Sequence, residues 1–64
     1  MTSEEIAEVV SFINAFETFK AVERMKEWLQ NSLEPEQRKL IESALAAIEK
    51  EYDEDKAIEI LTAV

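Results

Sequence analysis

Glycine, histidine and cysteine are absent from this sequence of 64 residues, and its only proline is Pro35. Without glycine, a position that needs φ > 0 must be avoided or given to Asn or Asp, which disfavours tight hairpins and phosphate-binding loops. Without histidine and cysteine, the chain lacks the side chains most used for nucleophilic chemistry, proton transfer near neutral pH, and zinc or haem ligation. We therefore expect no enzymatic activity, no cofactor and no metal site.

Positive charge is also scarce. The chain has seven Lys and Arg residues and fifteen Asp and Glu residues, which gives a net charge of −8. Binding to nucleic-acid phosphates or to an anionic membrane needs clustered cations, so we expect neither as a partner. Two interpretations of the acidity remain open. It can serve solubility alone, or it can attract a basic partner, for instance by imitating DNA.

Long hydrophobic runs are missing as well. The longest uncharged stretch, from Val9 to Phe16, is far shorter than the roughly twenty residues that a transmembrane helix needs. The first residues are acidic, whereas a secretory signal begins with positive charge. We expect a single cytoplasmic domain over residues 1–64.

What is present is helical periodicity, and it begins with a recognisable start signal. Thr2 and Glu5 have the spacing of a capping box, in which two side chains satisfy the first backbone N–H groups of a helix. An apolar stripe at intervals of three and four residues follows it. Its members are Ile6, Val9, Val10, Ile13 and Phe16.

The phase of the apolar pattern changes near residues 14–18. The first stripe and a second one at Val22, Met25 and Leu29 fall on nearly opposite sides of a continuous helix. We therefore expect a break here, with Asn14 ending the first helix and starting a second that runs over residues 15–30. The alternative is one long bent helix, which would suit a dimer.

The second half predicts two more helices. Asn31 is the best substitute for a C-terminal glycine, and Pro35 is expected at the first position of a third helix. Ala46 and Ala47 would permit close approach of a neighbouring helix, and Asp53 is expected to cap a short final helix. The sequence therefore predicts an all-α fold, a small bundle of three to four helices with short antiparallel connections.

The abundant carboxylates are the first candidates for catalysis or calcium binding. Asp53, Glu54 and Asp55 begin like a calcium-binding loop, but the positions that should hold glycine and the final glutamate are Ile58 and Val64. A helix cap explains the same residues. By periodicity, four helical glutamates are expected to face solvent: Glu4, Glu8, Glu23 and Glu27.

The aromatic residues carry the only positive functional signal. One interpretation of Phe12, Phe16, Phe19 and Trp28 is that they fill the core. They nevertheless point in more directions than one thin helical layer can bury, which makes them the candidate interaction surface. The leading hypothesis is a regulator or inhibitor that docks an apolar helix face onto another protein or onto a second copy of itself. The competing hypotheses are an acidic DNA mimic that binds a basic DNA-binding protein, and a structural or designed bundle without a specific partner.

Overall fold

The computed structural model describes residues 2–31 and 33–63, and this part of the chain contains helices but no strand. The helices are α1 (Ser3–Asn14), α2 (Thr18–Gln30), α3 (Pro35–Glu49) and α4 (Glu54–Thr62). The predicted all-α bundle is confirmed, with four helices. The alternative of one long helix through the first half is wrong, because α1 and α2 are separate elements.

The capping box at the start of α1 is confirmed. The backbone N–H of Glu5 donates to Thr2 Oγ1 at 3.2 Å, and the Thr2 N–H donates to Glu5 Oε1 at 2.9 Å. Each side chain therefore satisfies a backbone donor that the helix itself leaves unpaired.

The predicted break between α1 and α2 is present, but its chemistry differs from the expectation. The Phe16 N–H donates to the carbonyl of Ile13 and the Glu17 N–H to that of Phe12, which is the bonding of a Schellman motif. Phe16 occupies the left-handed position of this motif, with φ of 62°. Asn14 therefore ends α1 but does not start α2, whose N-cap is Glu17 without a side-chain capping bond.

The end of α2 likewise differs from the prediction. Asn31 does not adopt the left-handed conformation expected of a glycine substitute, since its φ is −93°. Its side-chain amide instead donates to the carbonyl of Glu27 at 3.1 Å, and Arg38 on α3 donates to the carbonyl of Leu29 at 3.1 Å. Two side chains thus satisfy carbonyls that the last turn of α2 leaves free.

The second half follows the sequence closely. Pro35 is the first residue of α3, and the Asp53 carboxylate accepts the N–H of Lys56, which caps α4 as predicted. Between these helices lies Tyr52, which has φ of 54°. The chain reverses there, and the N–H of Asp53 donates to the carbonyl of Ala47 at 2.8 Å.

The four helices pack so that each contacts two neighbours, α1 with α2 and α4, and α3 with α2 and α4. The most extensive contact joins α3 to α4. Three alanines of these two helices are completely buried, Ala44 and Ala47 on α3 and Ala57 on α4. None of the four helices in the described part of the chain combines the length and apolarity needed to cross a membrane.

The core is apolar and contains no buried charged residue among those described. Trp28 belongs to it, with only 5% of its surface exposed. The buried side of α2 is thus Ala21, Met25 and Trp28, rotated from the predicted stripe because α2 packs against both α1 and α3. The core comprises Val9, Ile13, Ala21, Met25, Trp28, Ile41, Ala44, Leu45, Ala47, Ile48, Ala57 and Leu61.

Candidate protein-interaction surface

Two aromatic residues at the inter-helix turns are almost fully exposed. Phe16 follows α1 and is 92% exposed, and Tyr52 follows α3 and is 86% exposed. Both have positive φ, a conformation that is a genuine outlier for a bulky side chain. The expectation that such positions would fall to Asn or Asp is therefore wrong for the described residues, because phenylalanine and tyrosine occupy them.

The two turns contribute to one open groove of about 580 Å³. We call it the turn surface. Its apolar components are the Phe16 and Tyr52 rings with Ile13 and Ile58. Its polar components are Asn14, Glu51, Asp53, Glu54 and Asp55.

A side-chain hydrogen bond joins the two halves of the turn surface. The hydroxyl of Thr18, the first residue of α2, donates to Glu54 Oε2 at 2.6 Å. Glu54 is the first residue of α4, so this bond links the residues that follow the two turns. It holds the turns next to each other although α2 and α4 are not neighbours in the bundle.

The turn surface is negatively charged. Lys56 neutralises Glu51 through a pair of 2.9 Å, and this contact raises the pKa of Lys56 above its usual value. Asp53, Glu54 and Asp55 form no ion pair with any lysine or arginine in the described ranges 2–31 and 33–63. Three neighbouring carboxylates therefore lie beside two exposed rings without forming an ion pair in the described residues, although the charge of Asp53 adds to the raised pKa of Lys56.

These carboxylates do not form a metal site. Within the described residues, no group of three or more Asp or Glu side chains has an arrangement suited to holding a metal ion. Asp53 and Glu54 are each engaged in a hydrogen bond, to the N–H of Lys56 and to the Thr18 hydroxyl. Glu54 and Asp55 lie in the first turn of α4, where their negative charge interacts favourably with the helix dipole.

The structure separates the four aromatic residues singled out in the sequence. Phe16 is on the turn surface, and Phe19 lies one turn further along at the start of α2, 64% exposed. Phe12 is half-buried, and Lys20 Nζ lies 5.8 Å from the centre of its ring. Trp28 is buried and contributes nothing to an exposed surface.

Trp28 instead interacts with the start of α1. The hydrogen bond from the Thr2 backbone lowers the pKa of Glu5, and the indole N–H of Trp28 adds to that lowering. The indole nitrogen is buried and has no partner within hydrogen-bond geometry among the described residues, so we regard its interaction with the Glu5 carboxylate as electrostatic rather than as a formed hydrogen bond. The Trp28 indole is therefore part of the core and is not an exposed group for binding another protein.

Sequence reasoning did not identify Tyr52 as part of the surface. Its spacing places it on the apolar stripe of α3 with Ala44, Leu45 and Ile48, which predicts burial. The helix ends at Glu49, and the left-handed turn directs Tyr52 into solvent. The signal that was available is its position immediately before Asp53, the N-cap of the next helix.

No family model, no curated protein and no solved structure matches this chain.

Proposed function

We propose that this chain is a protein-interaction module that binds a partner protein through the turn surface. The observation that carries the proposal is that Phe16 and Tyr52, from two different turns, are both almost fully exposed and line one groove. Exposed aromatic side chains that cluster beside polar groups are typical of protein interfaces, where a few residues, often tyrosine, tryptophan or arginine, carry most of the binding energy.

The backbone at these positions supports a role for the side chains. A bulky residue in the left-handed region costs about 1–3 kcal/mol, whereas glycine adopts the same conformation without a steric penalty. The chain has phenylalanine at one such turn and tyrosine at the other. Neither ring contributes to the core, so the fold does not explain why these residues are there.

The energy available from the two rings sets a requirement on the partner. Burying one large apolar side chain contributes about 1.5–3 kcal/mol, so the two rings together contribute about 3–6 kcal/mol. The loss of translational and rotational freedom on association opposes this with about 4–15 kcal/mol. The rings are therefore anchors, and a stable complex needs further contacts from the surrounding polar groups.

This surface differs from the apolar helix face expected from the sequence. The apolar faces of α1 to α4 pack against one another, and most large apolar side chains among the described residues are buried or half-buried in the core. The apolar side chains that remain most exposed are Phe16, Phe19 and Tyr52. Binding through the turns thus replaces binding through a helix face in the proposal.

The DNA-mimic hypothesis depends on net charge and makes a different prediction. A mimic needs a continuous array of carboxylates, whereas Arg24 pairs with Glu8 at 2.9 Å and Lys26 pairs with Glu49 at 3.4 Å on the helical sides of the bundle. Binding by a mimic would be insensitive to removal of the rings. Binding by the proposed module depends on them.

Site-specific photo-crosslinking tests the proposal. A photoreactive phenylalanine analogue is placed at position 16, at position 52, or at the control position 39, where Lys39 is exposed on α3 outside the turn surface. We expect the same crosslinked partner from positions 16 and 52 in a lysate of the cells that express the chain, and none from position 39.

The purified partner then permits a quantitative test. We expect Phe16→Asn and Tyr52→Asn each to weaken its binding at least about tenfold, which corresponds to roughly the burial energy of one ring. Asparagine is chosen because it tolerates the left-handed conformation and so preserves the turn. Unchanged affinity in both variants, or crosslinking from position 39 alone, would contradict the proposed function.

A further inference from the structure

The carboxylates of Asp53, Glu54 and Asp55 form no ion pair among the described residues, and they indicate which kind of partner the turn surface would bind. We infer that the partner presents an arginine-containing segment, whose guanidinium group lies against the exposed rings of Phe16 and Tyr52 and pairs with the carboxylates beside them. This inference rests on the proposed function, since it names the chemistry of the partner that the turn surface binds.

The exposed rings favour a cationic partner. The face of an exposed aromatic ring attracts a cation, and arginine also stacks on it through its planar guanidinium. The chain already shows this interaction within itself, where Lys20 Nζ lies 5.8 Å from the centre of the Phe12 ring. Phe16 and Tyr52 have no corresponding lysine or arginine among the residues that line their groove.

The negative charge of the groove also favours a cationic partner. Of its four carboxylates, only that of Glu51 is paired with a cation, through Lys56, in the part of the chain that the structure describes. Asp55 is exposed and lies next to Tyr52 and Asp53 in the groove lining. A partner that buries the rings must also cover these carboxylates, and covering them without a cation would leave them desolvated and unpaired.

The same charges argue against a second copy of the chain as the occupant. Two copies meeting at this surface would bring their Asp53–Asp55 carboxylates together, and each copy has a net charge of −8. Like charges in an interface oppose association. Arginine satisfies both components of the surface, because one guanidinium can stack on a ring and donate two hydrogen bonds to a carboxylate.

A pair of synthetic peptides tests the inference with the intact protein. The first is a short capped peptide in which arginine and leucine alternate, and the second replaces each arginine with citrulline, which has nearly the same shape but no charge. Binding is followed by the amide chemical shifts of the protein at low and at high salt. We expect the arginine peptide to shift signals of residues 14–17 and 51–55 and to bind at least about tenfold more tightly than the citrulline peptide.

Two matched protein variants locate the interaction. Asp55→Asn removes a carboxylate of the turn surface, and Glu42→Gln removes an exposed carboxylate of α3 outside it. We expect the first to weaken binding of the arginine peptide about threefold and the second to leave it unchanged, because Asp55 lines the groove with the two rings and Glu42 does not. Tyr52→Asn is expected to remove the shifts of residues 51–55.

The outcomes separate this inference from the proposed function. If both peptides bind the turn surface equally, the partner is apolar instead of cationic, and the inference is overturned while the proposed function stands. If the arginine peptide shifts signals elsewhere, or binds Asp55→Asn as well as the unmodified protein, the inference is also overturned. Loss of crosslinking specificity at positions 16 and 52 would remove the proposed function itself.

Discussion

Arg38 on α3 donates a hydrogen bond from its guanidinium to the backbone carbonyl of Leu29 on α2, at a distance of 3.1 Å. The bond is partly buried and spans the connection between the two helices. Because the last carbonyls of a helix have no partner within it, this side chain completes the end of α2 from a neighbouring element. It is a tertiary cap where the sequence suggested a local one.

We expect Arg38→Ala to destabilise the fold by about 1–2 kcal/mol, since it removes a charged donor from a partly buried carbonyl. Urea denaturation followed by circular dichroism measures the change. Lys39→Ala is the matched control, because Lys39 is exposed and makes none of the hydrogen bonds or ion pairs found among the described residues. Equal effects of the two substitutions would show that the contact contributes nothing.

Glycine is expected to stabilise both aromatic turns. Relief of the left-handed strain at Phe16 contributes about 1–2 kcal/mol, and the greater freedom of glycine in the unfolded chain offsets about 0.4–1 kcal/mol of it. Phe16→Gly and Tyr52→Gly should therefore each raise the free energy of unfolding by roughly 0.5–1 kcal/mol, measured by urea denaturation.

Phe19→Gly provides the contrast. Phe19 is also exposed but is a helical residue of α2, where glycine is less favourable than phenylalanine by roughly 0.5 kcal/mol. The sign of the stability change should therefore be opposite at positions 16 and 19. Destabilisation at both positions would mean that the Phe16 ring contributes to folding after all.

The capping box of α1 predicts that substitution of Thr2, and not of its neighbour Ser3, lowers the stability of the fold. Thr2→Ala should reduce the free energy of unfolding by about 0.5–2 kcal/mol, because the N–H of Glu5 loses its acceptor. Ser3→Ala, which changes the neighbouring exposed hydroxyl, is expected to have little effect. Thermal unfolding of the two variants side by side makes the comparison.

Glu5 also makes stability depend on pH. Its pKa is lowered in the folded state below the ordinary value of a glutamate, chiefly by the hydrogen bond from the Thr2 backbone. A lowered carboxyl pKa stabilises the fold above the unfolded pKa, and this contribution disappears as the pH falls through the folded pKa. Stability should therefore decline from about pH 5 downwards, apart from the effects of other carboxylates.

Glu5→Gln isolates that contribution, because glutamine keeps the capping geometry but does not titrate. Urea denaturation of both proteins between pH 7 and pH 3 should show a difference that narrows as the pH falls. A constant difference across this range would contradict the assignment to Glu5.

Close packing of α3 against α4 predicts intolerance to larger side chains at Ala47. Ala47 is completely buried, so Ala47→Leu should cost about 1–3 kcal/mol through displaced neighbours. Ala7→Leu makes the same change at an exposed position of α1 and should be nearly neutral. A neutral effect at both positions, measured by urea denaturation, would show that the neighbours of Ala47 rearrange to accommodate a larger side chain.

Much of the fold could be predicted because its signals are local. Thr2 with Glu5, Pro35, and Asp53 mark helix starts through the chemistry of their own side chains, and the structure confirms each of them. The break after Asn14 also followed from a change of apolar phase. These features depend on residues within a few positions of one another.

The failures share a different origin. Propensity predicts Asn31 as a left-handed helix terminator and Asn14 as the start of α2, whereas the left-handed residues among those described are Phe16 and Tyr52. Tertiary packing decides where the chain must reverse, and without glycine the residue at that point adopts the conformation whatever its side chain. Burial of Trp28 similarly depends on α2 packing against two helices at once.

The hydrogen bond between Thr18 and Glu54 has a consequence for sequence variation in this fold. It joins the residues that follow the two aromatic turns through their side chains alone. Substitution of either residue removes the link without changing a ring or a side chain of the core. A peripheral substitution can thus alter the contact between the turns while the buried scaffold is retained.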